Sequence, residues 1–193
     1  MIFELFHHAA LIPLILLAVA AHRRREAPPV VYWLVAAGLA VSWVADSYVE
    51  LAGTNPWWVS YVYPPIQAGL IFWGVTRLET SEATRMSVAA ALAVVALASM
   101  ASGPMDRPEA VAQGLAAVVV VVAIRRHHEL GLLRYGLLVY FGLGLGWWVL
   151  WPLTFGGPHF VTVYYGYQMT RMAGLALASV AMWQYRRHLL TLP

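Results

Sequence analysis

Residues 29–53 read PVVYWLVAAGLAVSWVADSYVELAG. The run is almost uniformly apolar, begins at a proline and stops at a glycine. At 1.5 Å per residue it is long enough as a helix to cross a hydrocarbon core, which needs roughly 20 residues. Near its end it carries Asp46 and Glu50, four positions apart. At that spacing two side chains project from one helix face. A carboxylate inside a bilayer is costly and marks a functional site by default.

Composition sets the class. The chain has 193 residues, 61% of them hydrophobic and 11% charged, with a mean hydropathy of +0.68. A soluble domain of this size needs far more surface charge, so the expected fold class is an all-α integral membrane protein, multi-pass, in a bacterial inner membrane. Cysteine is absent, which excludes disulfides, thiolate metal sites and cysteine nucleophiles. All 12 Lys+Arg positions are arginine, which excludes Schiff-base chemistry. The net charge of +3 comes from arginines at helix ends, so no nucleic-acid partner is expected. Met1-Ile2-Phe3-Glu4 lacks a basic n-region, and Arg23-Arg24-Arg25 follows the apolar run. That order predicts a retained first helix with its N-terminus outside.

Seven apolar stretches fit a seven-transmembrane helix bundle in a single domain, 1–193, at about 3–22, 29–52, 56–78, 86–103, 108–124, 132–155 and 159–185. The breaks carry Pro28-Pro29, Gly53-Thr54-Asn55-Pro56, Ser102-Gly103-Pro104 and Gly156-Gly157-Pro158. Arg23, Arg24, Arg25, Arg77, Arg85, Arg125, Arg126, Arg134, Arg186 and Arg187 then fall on one side and only Arg107 on the other, an N-out/C-in pattern. Shifting the chain by 102 residues aligns Arg23-Arg24 with Arg125-Arg126, Pro56 with Pro158 and Tyr63 with Tyr165. Such a match fits a parallel 3+1+3 internal repeat of the kind transporters use; any two helix–loop–helix units with proline at the turn also align somewhere.

In this topology the outer half collects the unusual side chains, so a cavity is expected there. The candidate catalytic residues are Asp46 and Glu50. The candidate substrate-binding residues are Tyr63, Gln67, Trp148, Trp151, Tyr164, Tyr167, Gln168 and Arg171. An arginine mid-span costs about 2.5–3.5 kcal/mol on insertion scales, so Arg171 needs a partner. Asp46, roughly 7–8 Å outward along its own helix, is the expected one. Such a pair either fixes helix register or positions a proton donor. His7, His8 and His159 join the acids as loose metal-ligand candidates. Adjacent histidines face different ways and no His-x3-His or Glu-x2-His pair occurs, so no metal and no other cofactor is expected. Tryptophans and tyrosines gather at membrane interfaces anyway, but Tyr63, Tyr164 and Tyr167 lie deeper than a belt requires. Ring faces attract positive charge, so an aromatic cavity with acids suits a cationic ligand or a carbocation. Pro64-Pro65 should kink the third span. Gly142, Gly144 and Gly146, with Gly174 and Ala178, read as close-packing positions.

The layout resembles the small seven-span terpene cyclases of indole-diterpene and meroterpenoid pathways. Asp46 stands in the span-2 acid position. Ile66-Gln67-Ala68-Gly69 with Arg77 closes span 3, Trp148-Val149-Leu150-Trp151-Pro152 lies in span 6, and Trp183 ends span 7. The resemblance implies an acid that protonates an epoxide or alkene, and aromatic walls that guide the cation. The family's second acid, in span 7, is replaced here by Gln168 and Arg171, leaving Glu50 as the substitute. Microbial rhodopsins share a Trp-x-x-aromatic-Pro, but no lysine exists here to hold retinal. The 3+1+3 layout is similar to SWEET-type sugar transporters, whose Pro-Gln signature is missing. The sequence therefore sets three expectations side by side. One is an intramembrane enzyme for acid-triggered cyclisation of an isoprenoid-like substrate. The second is a small-molecule transporter or ligand-binding protein, and the third a structural subunit of a membrane complex. The partners expected are membrane lipid and an apolar small molecule.

Overall fold

A computed structural model describes residues 8–54, 59–77, 80–101 and 106–185. Among these residues the chain is all-helical, with seven helices: α1 (Ile12–Arg24), α2 (Val30–Ala52), α3 (Val59–Thr76), α4 (Glu82–Ala101), α5 (Asp106–Ile124), α6 and α7 (Phe160–Gln184). α6 is composite, with α-helical Leu132–Leu137, a π-helical stretch Leu138–Leu143 and α-helical Gly144–Thr154. A short 3-10 turn, His128–Leu130, precedes it.

The helix ends follow local chemistry. The first apolar stretch is not one helix from residue 3, as expected. The described part turns at Ala10-Leu11 and α1 starts at Ile12. Pro13 has no N–H to give and its ring crowds the carbonyl four residues back, so the helix restarts there. α2 ends where Gly53 takes φ 64°, the left-handed conformation that a helix C-terminus favours and glycine adopts freely. α3 runs unbroken through Pro64 and Pro65. α4 begins four residues before its expected start, because the Ser81 hydroxyl accepts from the Thr84 N–H at 3.2 Å and Glu82 sits in the positive first turn.

α1 packs against α2 and α7, α2 against α3, α3 against α5, α5 against α6, and α6 against α7. These six close a ring, and α4 lies outside it against α3 and α5. The ring interior is filled by Leu17, Val35, Leu39, Ile71, Val120, Ile124, Leu133, Leu137 and Met182, all fully buried. Small residues set the closest crossings. A Cβ added at Gly174 would lie 2.7 Å from Tyr140 Cβ, and one at Gly136 would lie 2.8 Å from the Ala178 nitrogen. Of the expected packing positions, Gly174 and Ala178 serve this crossing of α6 and α7. Gly142, Gly144 and Gly146 do not, having either open space or ordinary contacts beside them. Gly136, not singled out from sequence, completes the contact.

Arginines of α4, α6 and α1 reach the C-terminal ends of α3, α5 and α7. Arg85 donates to the carbonyls of Thr76, Arg77 and Thr80, Arg134 to those of Ile124 and Arg125, and Arg24 to that of Tyr185. Each therefore satisfies carbonyls that a helix C-terminus leaves without partners. Large apolar side chains cover the outside: Leu51 is 88% and Leu153 78% exposed, and Val44, Val94, Leu97, Leu143, Val149, Val161 and Met169 are more than half exposed. Buried polar residues lie inside, among them Ser42, Gln67, Thr76, Gln113 and Ser179. Two helices, Val30–Ala52 and Leu132–Leu150, are long and apolar enough to cross a membrane.

Candidate functional site

The inside of the ring carries a polar cluster built by α3, α5, α6 and α7. Tyr140 is its centre. It belongs to the π-helical stretch of α6, where the extra residue per turn swings Tyr140 and Phe141 together into the core. Such stretches recur at functional sites. The Tyr140 hydroxyl accepts from Gln67 Nε2 at 3.3 Å and from Arg171 Nε at 3.1 Å. The Arg171 guanidinium lies 5.5 Å from the ring centres of both Tyr140 and Tyr167. That is within the ~6 Å at which ring faces attract a cation. Tyr167 in turn meets the Trp148 ring at 5.0 Å, close to edge-on. Across from them Gln113 donates to the Tyr63 hydroxyl at 2.9 Å. Tyr63 lies within electrostatic range of Tyr167, Arg171, Asp46 and Tyr140.

The space beside part of this cluster is small; Gln67, Gln113, Tyr140, Trp148 and Tyr167 line it, but not Tyr63 or Arg171. Pro64, Gln67, Gln113, Ala116, Ala117, Tyr140, Phe141, Gly144, Trp148 and Tyr167 wall a cavity of about 10 Å³. That volume admits one water, and its polar lining offers the partners a buried water requires.

Five of the sequence-derived candidates, Tyr63, Gln67, Trp148, Tyr167 and Arg171, therefore meet. The expected Asp46–Arg171 ion pair does not form. Arg171 is held by Tyr140 and Tyr167 instead, and Asp46, like Glu50, is exposed on α2. The reason lies in which side of α2 faces the bundle. Val44, Asp46, Tyr48, Glu50 and Leu51 take the exposed positions of its last two turns, while Ala45 is buried. Tyr164 is placed in a row of rings with Phe160 and Tyr165, at 6.5 and 6.1 Å, and Gln168 is half-buried on α7. The Trp151 side chain lies outside the described ones, as do Glu4 and His7. His8 accepts a hydrogen bond from Trp43 Nε1 at 3.2 Å and His159 is exposed. Among the described residues no group of three or more His, Cys, Asp or Glu could hold a metal.

Two cluster members were missed from sequence. Gln113 carried the signal already used for Gln67, a polar residue inside an apolar span. Tyr140 carried none, because only the π-helical register aims it inward.

Two further hollows matter. On the outer flank, Val41, Val44, Ala45 and Tyr48 of α2 face Val59, Val62, Tyr63 and Ile66 of α3 across an apolar groove of about 210 Å³. Tyr63 thus has its ring in the groove wall and its hydroxyl in the polar cluster. At the opposite end, Tyr32, Glu129, Leu130, Gly131, Leu132, Ala181, Gln184 and Tyr185 surround a hollow of about 320 Å³. This corrects the expectation that open space would be confined to the half holding the acids. The loop after α5 makes it: His127 and Glu129 pair at 2.6 Å, and Gly131 adopts φ 52°, ψ −123°, which glycine tolerates.

Comparison with known proteins adds no relative: no family model, curated protein or solved structure matches this chain.

Proposed function

We propose that the chain is a multi-pass membrane protein, N-out/C-in, that takes an apolar, chain-shaped molecule of isoprenoid type from the lipid phase into the groove between α2 and α3. Its inside-out distribution of polarity supports the membrane setting: glutamines, serines and an arginine point inward while leucines, valines and methionines cover the outside. The arginine-rich loops at one end supply the positive-inside bias. The observation that carries the binding reading is the groove itself, apolar along its length and closed at the inner wall by the Tyr63 ring. At about 210 Å³ it is smaller than whole-ligand pockets of roughly 300–1,000 Å³, which suits part of a long chain with the rest left in lipid. On this reading Asp46, near Tyr63 and exposed on α2, is the proton donor for an acid-triggered cyclisation, as the resemblance to the seven-span terpene cyclases implies. Glu50 stands one turn further out.

The test is photo-crosslinking with a long-chain methyl ester carrying a diazirine in its chain, mapped by peptide mass spectrometry. Binding in the groove gives adducts concentrated in 41–48 and 59–66. Adducts spread evenly over the outward faces of all helices mean ordinary lipid contact and sink the reading.

A second reading, transport of a small molecule through the ring, is favoured by one observation. The six-helix ring with α4 outside is the order expected of two three-helix units joined by a linker helix. Proteoliposomes that accumulate a solute down a proton gradient, and lose this on Asp46→Asn, would support transport. Proteoliposomes with no such uptake, but with conversion of a prenyl epoxide, would support the enzyme.

A further inference from the structure

The polar cluster is rich in donors and poor in acceptors. Arg171 spends Nε–H on the Tyr140 hydroxyl and offers its two ring-facing surfaces to Tyr140 and Tyr167. Its terminal nitrogens, each with two N–H groups, meet no hydrogen-bond acceptor among the described residues, and no carboxylate pairs with it there. The Tyr140 oxygen already accepts twice, from Gln67 and Arg171, and the Tyr63 oxygen accepts from Gln113. Neither hydroxyl hydrogen meets an acceptor among the described residues. The Tyr140 hydroxyl and the two rings therefore leave the terminal N–H groups open to a further acceptor. What fits is an oxyanion. A carboxylate takes the paired terminal N–H groups of an arginine side by side, and the two tyrosine O–H groups can supply further donors.

We infer that Arg171, with Tyr140 and Tyr63, forms a site for the carboxylate of an amphiphilic acid. The inference rests on the membrane-binding reading above and names the head group that goes with the apolar chain. Tyr63 links the two, with its ring on the groove and its hydroxyl on the cluster. The bound acid also gives Arg171 a counter-charge that no carboxylate among the described residues supplies.

The experiment measures binding of 9,10-dibromostearate and of its methyl ester to the detergent-solubilised protein by quenching of tryptophan fluorescence. The wild type is expected to bind the acid at least tenfold more tightly than the ester. Arg171→Gln should abolish that preference while keeping ester binding. Tyr140→Phe, which retains the ring, should reduce it several-fold. Addition of benzoate separates the sources of the anion: competition shows that free carboxylates enter, and no competition shows that the chain is required. Equal binding of acid and ester by the wild type, or an undiminished acid preference in both Arg171→Gln and Tyr140→Phe, overturns the anion site and leaves the groove standing. Binding of neither compound removes both. Tyr140→Phe keeps the inference testable should Arg171→Gln fail to fold.

Discussion

Arg171 on α7 and Tyr140 on α6 grip each other twice, through an Nε–H to hydroxyl hydrogen bond of 3.1 Å and through the guanidinium placed 5.5 Å from the ring centre. The double contact is available because Gly174, one turn further along α7, lets the two backbones approach until an added Cβ would collide with Tyr140. Among the described residues, an arginine in the middle of α7 is thus held without a carboxylate, by a tyrosine from the π-helical stretch of α6.

Tyr140→Phe removes the hydroxyl that both Gln67 and Arg171 use and leaves two buried donors unmatched. A hydrogen bond to a charged group contributes about 1.5–3 kcal/mol, so the variant should unfold at a measurably lower temperature in detergent by that order of free energy. An unchanged melting temperature would mean the network has no energetic role.

Gly174→Ala places a methyl group where 2.7 Å separates it from Tyr140 Cβ and 2.8 Å from the Tyr140 nitrogen. Overpacking of this kind costs about 1–3 kcal/mol. Gly146→Ala, with nothing within 4 Å, is the matched control and should be neutral or slightly stabilising. Thermal unfolding of the two variants side by side decides it.

The architecture was legible because its signals are local. The apolar runs, the prolines and the Gly53 stop place six of the seven helix bodies to within a few residues, and α1 departs only where Pro13 resets it. The cluster was legible in part for the same reason: Gln67 and Arg171 stand out in apolar spans. What sequence could not supply was pairing. Choosing Asp46 for Arg171 used charge and depth along the helix axis, but the outcome turned on azimuth. Asp46 falls on the exposed side of α2 next to buried Ala45, and the π-helical register that brings Tyr140 to the arginine has no marker in LVYFGL.

Asp46→Asn and Glu50→Gln alter exposed carboxylates. Substitutions of that kind stay within about 0.5 kcal/mol of wild-type stability. If Asp46 is the proton donor, its neutralisation should abolish conversion of a prenyl epoxide in a protein that melts like the wild type. Full turnover in both variants would remove acid catalysis from α2.

Topology has a clean assay because the chain has no cysteine. Single cysteines at Thr54 and His159 should react with a membrane-impermeant maleimide on right-side-out cells. Those at Ser81 and His128, all four being exposed positions, should react only after permeabilisation. Labelling of Ser81→Cys or His128→Cys on intact cells would contradict the N-out, C-in arrangement.

The central claim is that the α2–α3 groove binds an apolar chain, and occlusion tests it most directly. Val44 and Ile66 line the groove yet are 60% and 49% exposed, so Val44→Trp and Ile66→Trp fill it without entering the core. Diazirine crosslinking of the wild type and of each variant should show the adducts at 41–48 and 59–66 lost in both variants, with labelling elsewhere unchanged. Adduct yields in those two segments that persist undiminished in both tryptophan variants would contradict it.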